Sequence, residues 1–343
     1  MVSDVTSAGP SNGRAPLENM SLGSLARKRF FRHKAAVVSL IGLVAIAVLA
    51  FSSVGVVIGG TGRLIADPVT GALAVDGFRI PGWWPYSWWE NFPIQNPGGA
   101  PTLTLWPFSL GDHPFGQDTV GKDIFARVMR GLQQSLIVIL LVGLISTTIG
   151  VIVGALGGYY RGWLDSMLMR FADVVLIIPV LVLGAVLGRM VGGNAISLGI
   201  LLGFIAWPGL ARLVRAEFLS LREREFVDAA RVAGAGDVRI MLRHILPNTV
   251  GVIVVNATLL MAAAILIETS LSYLGFGILA PDISLGQIIS EYSQAFKTRP
   301  WLFWWPGLFI VLIALAINFV GDGLRDAFDP RQRIDRRARK QAS

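Results

Sequence analysis

Leu132–Gly158 reads LQQSLIVILLVGLISTTIGVIVGALGG and holds no charged residue. A run of about 20 apolar residues can cross a bilayer as a helix, because every backbone N–H and C=O is then satisfied inside the segment. The run is continuous and lacks the period-two alternation of a membrane β-strand. Five other stretches share its character: Ala35–Ile58, Leu168–Met190, Ile196–Val214, Val250–Ile267 and Phe303–Val320. The chain is therefore expected to be an all-α integral membrane protein with six transmembrane helices. Composition agrees, with 15% charged residues against about 25% in soluble domains. Within the first-quoted run, Gly150, Gly154 and Gly158 fall on one helical face, where small residues let helices approach closely. Pro179 and Pro208 lie inside the third and fourth spans and are expected to kink them.

Charge sets the expected topology. Residues 1–34 form a polar tail in which Arg27, Lys28, Arg29, Arg32 and Lys34 directly precede the first span, 35–58. That span is too long for the apolar core of a cleaved signal peptide, so an uncleaved signal anchor is expected. The N-tail and the segments 159–170, 211–247 and 321–343 carry 22 of the 30 Lys and Arg residues. The positive-inside rule then places both termini of the multi-pass protein in the cytoplasm. Residues 59–131 become an extracytoplasmic insertion, in which Trp83, Trp84, Trp88 and Trp89 cluster. These rings fit a membrane-interface belt, or a contact surface for a binding protein or peptide. The basic tail, 323–343, is expected to touch anionic membrane lipid. No folded recognition module accompanies it, so the net charge of +8 is not read as nucleic-acid binding.

Several chemistries are disfavoured. There is no cysteine, which excludes disulfides, thiolate metal sites and cysteine nucleophiles. His33, His113 and His244 are scattered, so no metal and no cofactor is expected. Gly116–Lys122 nearly matches a phosphate loop, but Asp123 stands where a Mg²⁺-binding hydroxyl belongs and no buried strand precedes it. Asp173 and Glu268 are ionisable groups in or at the edge of apolar spans. With Asn256 they are the candidate pathway residues.

The largest polar segment between spans is Phe226–Asn248, FVDAARVAGAGDVRIMLRHILPN. Phe226, Ala229, Ala230 and Ala233 fall at i, i+3, i+4 and i+7, giving one helical face with small side chains at its centre. Asp228 lies mainly off that face. Gly234 and Gly236 are expected to stop the helix, Asp237 to cap a second one through Leu246, and Pro247 to mark the turn into the fifth span. A small-residue face suits close docking of a soluble partner; an amphipathic loop resting on lipid is the other reading of the pattern.

This segment resembles the loop of ATP-binding-cassette importer permeases, E-A-A-x-x-x-G-x₉-I-x-L-P. Asp228-Ala229-Ala230 precedes Gly234, and His244-Ile245-Leu246-Pro247 follows. Asp228 in place of Glu, and His244 at the usual Ile position, are similar to the dipeptide/oligopeptide/nickel subfamily. Phe115–Asp123 resembles that subfamily's F-G-T-D-x-x-G-R-D signature, which accounts for the near-miss phosphate loop. Ser272–Gly277, Trp305–Gly307 and Asn318–Asp326 resemble its other segments. The likeness is closest to the C-type subunit and leaves about 59–111 unexplained. It implies a MetI-like permease core over 132–322 with a coupling loop at 217–248. It also implies a homologous second permease subunit, two cytoplasmic ATPase subunits, an extracytoplasmic substrate-binding protein and a peptide substrate. The chain itself would be non-catalytic. Phe226, Asp228, Ala229, Ala230, Ala233, Gly234, His244, Leu246 and Pro247 would couple it to an ATPase. A nickel or other small-solute importer shares this core. A secondary transporter, a membrane enzyme and a scaffold for a soluble complex are the readings from other classes.

Overall fold

The computed structural model of the protein describes residues 22–58, 64–66, 73–75, 78–106, 108–190, 192–280 and 282–328. The basic stretch Arg331–Lys340 lies outside them, as does most of the N-terminal tail.

A short helix, α1 (Leu22–Phe30), precedes α2 (Lys34–Ser53). The sequence reading had taken this region as plain tail. Its Ala26 and Phe30 are buried with Ala36 and Ala327. The side chain of His33 accepts a hydrogen bond from the Ala36 N–H and so starts α2. The first span is shorter than its expected 35–58. Gly55 turns the chain, and β1 (Val56–Ile58) runs antiparallel to a later strand, Phe78–Ile80.

The centre of the bundle is α3 (Ile124–Tyr160), which begins two turns before the expected Leu132. Hydropathy passes over Arg127 and Arg130, yet both are buried, at 3% and 5% exposure. Both are also paired. Arg127 bridges to Glu291 and donates to the Tyr292 hydroxyl at 2.8 Å. Arg130 bridges to Asp282 at 2.6 Å.

The third span is not the continuous helix expected over Leu168–Met190. It is two helices, α4 (Gly162–Ile177) and α5 (Val180–Met190), meeting at 86°. The cause is local. The residue before a proline is pushed out of the helical region, and Ile178, before Pro179, sits at φ −81°, ψ 123°. The fourth span divides into α6 (Ala195–Ala206) and α7 (Pro208–Leu221), but bends only 43°. Trp207 keeps helical angles there, and Pro208 occupies the first turn of α7, where its missing N–H has no partner to lose.

The polar segment holds α8 (Glu225–Val232), then the single turn α9 (Asp237–Arg239). The expected turn at Pro247 is absent. A π-helical segment, Ile240–Ile245, runs without interruption into α10 (Leu246–Tyr273). The Leu246 N–H reaches five residues back to the Met241 carbonyl. This widened turn accommodates the Pro247 ring, which in a regular helix would crowd the carbonyl four residues before it. After α10, the short helix α11 (Leu285–Glu291) returns against α3 and α10, and α12 (Trp301–Phe328) completes the bundle beyond the expected Val320.

Among the described residues, four helices are long and apolar enough to cross a membrane, and the count is six if each bent pair is one span. The glycine face of α3 receives α7. A Cβ on Gly154 would stand 2.5 Å from the Ala211 carbonyl oxygen, so only glycine permits this approach. Gly150 faces Leu210 and Gly158 faces Phe218 in the same way.

Candidate functional site

The loop between α7 and α10 is two-sided. Its inner side is anchored in the protein's own core, where Val227, Ala230, Ile240, Met241 and Ile245 pack with Tyr159, Leu210, Val214 and Phe218. Ala230 is 8% exposed, which corrects its placement on an open docking face with Phe226, Ala229 and Ala233. The α8 stripe is offset from the sequence reading because Val227, three residues before Ala230, points inward with it.

The helix ends as glycine chemistry requires. Gly234 has φ +82° and donates its N–H to the Arg231 carbonyl at 2.9 Å, while the Ala235 N–H reaches the Ala230 carbonyl at 3.0 Å. Gly236 instead takes an extended conformation, at φ −72° and ψ 161°. Asp237 does not cap the next turn with its side chain. It accepts a 2.6 Å hydrogen bond from the Tyr159 hydroxyl, which fastens the loop to the end of α3. The Arg222 guanidinium bonds the Tyr159 carbonyl and ties the entry of the loop to the same place.

The outer side carries Phe226, Ala229, Val232 and Ala233, all exposed; Val232 is 91% exposed. Val238 and Leu242 extend this apolar surface. Asp228 pairs with Arg231 at 3.2 Å at its edge. His244 and Leu246 are half-buried in the π segment and first turn of α10, and Pro247 is exposed beside them. These three lie away from the α8 face and shape the exit of the loop.

The candidate pathway residues are not brought together. Asp173 on α4 is paired with Arg212 on α7. Asn256 donates to the Val252 carbonyl of its own helix at 2.8 Å. Glu268 is fully buried. Its carboxyl accepts from Ser135 at 2.9 Å and from Ser272 at 2.8 Å, joining α3 to α10.

The tryptophans also separate. Trp88 is 4% exposed, and Trp84 and Trp89 pack on the same core. Arg130 lies 4.7 Å from the centre of the Trp88 ring, and Arg79 lies 5.0 Å from that of Trp89. Neither an interface belt nor a contact surface describes Trp84, Trp88 and Trp89; they cap the core around the start of α3. Trp83 alone of the four is exposed, at 58%.

The near-miss phosphate loop is the clasp of this end. Asp118 accepts from the N–H groups of Val120 and Lys122 and from the Tyr292 hydroxyl at 2.8 Å. Burial pushes the Tyr292 phenol above its usual range, so it stays a donor. Asp123, the residue that spoils the phosphate-loop pattern, is the N-cap of α3. An Asp standing immediately before the apolar Ile124-Phe125-Ala126 is the signal that would have located the helix start.

Two comparisons cover most of this architecture. Residues 127–334 match the model of the binding-protein-dependent transport system inner membrane component, and residues 21–58 match the N-terminal transmembrane domain of oligopeptide transport permease C. The chain is 36% identical to the oligopeptide transport system permease protein OppC of Mycobacterium tuberculosis, over 93% of its own length and 98% of that protein. It is 37% identical to the protein of the same name from Haemophilus influenzae, over 92% and 91%. A chain of the MetNI methionine ABC transporter, in inward-facing conformations, superposes with a TM-score of 0.50 at 22% identity, covering 60% of this chain and 98% of that one; this shows the fold alone. A bundle with this core, matched by one family model over more than half its length, belongs to the inner-membrane permease components of binding-protein-dependent ATP-binding-cassette importers.

Proposed function

We propose that this permease subunit pairs with a homologous second permease to form a path for di- and oligopeptides, driven by two ATPase subunits that dock on the α8 loop. The observation that carries the reading is the two-sidedness of that loop. Val227 and Ala230 seat it in the bundle, while Phe226, Ala229, Val232 and Ala233 leave an apolar strip exposed among the described residues. An apolar strip rimmed by charge marks a protein contact. Arg224, Glu225, Asp228 and Arg231 supply that rim. Both termini and the loop face the cytoplasm, and the insertion end, with the start of α3, faces a substrate-binding protein outside. The peptide class follows from the names borne by the relatives over nearly their whole lengths, and it favours peptide over nickel.

ATP binding would close the ATPases and select one of two states of the permease through contacts that differ between them. This chain supplies the contact and the path. It contributes no chemistry to hydrolysis.

The test uses two adjacent alanines. Ala229→Arg places charge and bulk on the outer strip, so the complex should insert and assemble but lose ATP-dependent accumulation of labelled peptide in proteoliposomes. Ala230→Arg instead forces a guanidinium into the loop's own core and should lower the yield of folded subunit. Normal uptake by Ala229→Arg at normal expression would refute the docking assignment. Accumulation of nickel rather than peptide would refute the substrate class.

A further inference from the structure

The helix α4 is poorly buried for a helix inside a membrane bundle; Ala172 is its one buried residue. Apolar packing holds part of it, with Ala172 against Trp207 and Ala211 beside Ile149 and Val153 of α3; the rest of its fastening is polar. Asp165 accepts from both the Nε and an Nη of Arg215, at 2.5 and 2.6 Å, and Asp173 pairs with Arg212. Beside them the Phe171 ring stacks on Trp207 with centres 5.9 Å apart. Every one of the charged and stacking partners lies on α7 or at the residue that starts it.

The spacing makes the two bridges a unit. Asp165 and Asp173 are two turns apart on α4, and Arg212 and Arg215 are one turn apart on α7, so each pair shares a face. The order is antiparallel: the earlier acid takes the later arginine. Two bridges at different heights resist both sliding and rotation of one helix on the other. Asp173 and Arg212 fall within the expected spans, where an unpaired member would be a bare charge, which is costly. Bidentate geometry at Asp165 adds directional strength.

The two ends of the bent span are held differently. While α4 is strapped to α7, α5 is held at the far end of the bundle. Gly188 there lies so close to the Phe276 carbonyl that a Cβ would stand 2.5 Å from its oxygen, and Gly184 packs on Leu271. Between α5 and Leu274 and Phe276 lies a hollow of about 450 Å³. The elbow at Ile178–Pro179 separates the two anchorages. Meanwhile α7 continues directly into the loop through Arg222 and Arg224.

We infer that the Asp165–Arg215 and Asp173–Arg212 bridges are positioning residues for coupling: they make α4 travel with α7, so that displacement of the α8 loop reaches the Pro179 elbow and the hollow beside α5. The inference rests on the assignment of the loop as the ATPase contact. It adds which helix receives the movement and which side chains carry it.

The chain has no cysteine of its own, so pairs of spin labels can be placed in it within the assembled, reconstituted complex. Suitable positions are Trp163→Cys on α4, Ser220→Cys on α7 and Leu315→Cys on α12, all exposed. On trapping with ATP and vanadate, the 220–315 and 163–315 distances should change together while the 163–220 distance stays fixed. In Asp165→Asn with Asp173→Asn, the 220–315 change should persist, the 163–315 change should be lost, and peptide moved per ATP hydrolysed should fall. The exchanged pair Asp165→Arg with Arg215→Asp should restore the 163–315 change, a rescue that a general packing defect would not give. If the doubly neutral protein does not assemble, Asp173→Asn alone, at the more exposed bridge, should loosen the 163–220 distance. The inference is overturned if α4 still follows α7 without the carboxylates, or if the exchanged pair fails to rescue. A 220–315 distance indifferent to ATP would instead overturn the loop assignment, and the inference with it.

Discussion

Asp123 shows how much one carboxylate can organise. It is fully buried, caps α3 through the Ala126 N–H, accepts from the Trp84 indole at 2.6 Å and lies 3.2 Å from the His113 ring nitrogen. Asp123→Ala removes a helix cap and leaves a buried indole donor unpaired, a combined cost of about 2–4 kcal/mol. Thermal unfolding in detergent, followed by tryptophan fluorescence, should shift down clearly, and Asp123→Asn should shift it less. An unmoved transition for the alanine variant would contradict the capping role. Gly234 tests backbone rather than hydrogen bonding. Nothing lies within 4 Å of a Cβ built on it, so Gly234→Ala meets no clash. Its cost is the left-handed conformation alone, roughly 1–2 kcal/mol. Limited proteolysis of the loop should quicken while the bundle's melting stays put; equal loss in both would point to a packing role instead.

At the scale of elements, the sequence was legible wherever one physical demand dominated. Uncharged length revealed the spans, and the glycine spacing on α3 revealed a close-packed face. What escaped reading depends on partners distant in sequence. Arg127 and Arg130 look like the end of a span until Glu291, Tyr292 and Asp282 fold back to meet them. Ala230 looks like part of a docking stripe until Val227 and Ile240 fix which side faces the core. Trp84 and Trp88 look interfacial until α3 is known to begin beneath them. Even the prolines were legible only in part: Pro179 and Pro208 carry the same chemistry, and the conformation of the residue before each decides between an elbow and a bend. The glycine face gives the element-scale prediction. Gly154→Leu must push α7 off α3, an overpacking cost of about 1–3 kcal/mol or more. The monodisperse fraction on size-exclusion chromatography should fall, whereas Gly209→Ala, which meets open space on α7, should leave it unchanged.

For the molecule as a whole, the two ends of the bundle differ in construction. One is knitted by buried polar groups around Asp118, Arg127, Arg130 and Glu268; the other presents the loop, with its exposed apolar strip. The proposed orientation makes a direct prediction. In intact cells a membrane-impermeant maleimide should label Trp106→Cys, which is 95% exposed, and should spare Val232→Cys. Inverted vesicles should give the opposite pattern. The reverse result would turn the molecule over and remove the loop from the ATPases.

The π segment Ile240–Ile245 has a consequence beyond making room for Pro247. A π turn is equivalent to one extra residue spliced into a helix, and each residue of a regular helix advances the chain by about 100° around its axis. The azimuth of everything N-terminal to it, α8 included, is therefore set by that one surplus residue. Deleting Leu242, whose side chain is exposed, would remove that surplus residue, turn Ile240 and Met241 out of the core they share with Val227 and Ala230, and press the Pro247 ring on the carbonyl four residues before it. The strip of Phe226, Ala229 and Val232 would then lose its seat together with its aim, so a single surplus residue fixes the bearing of that whole surface.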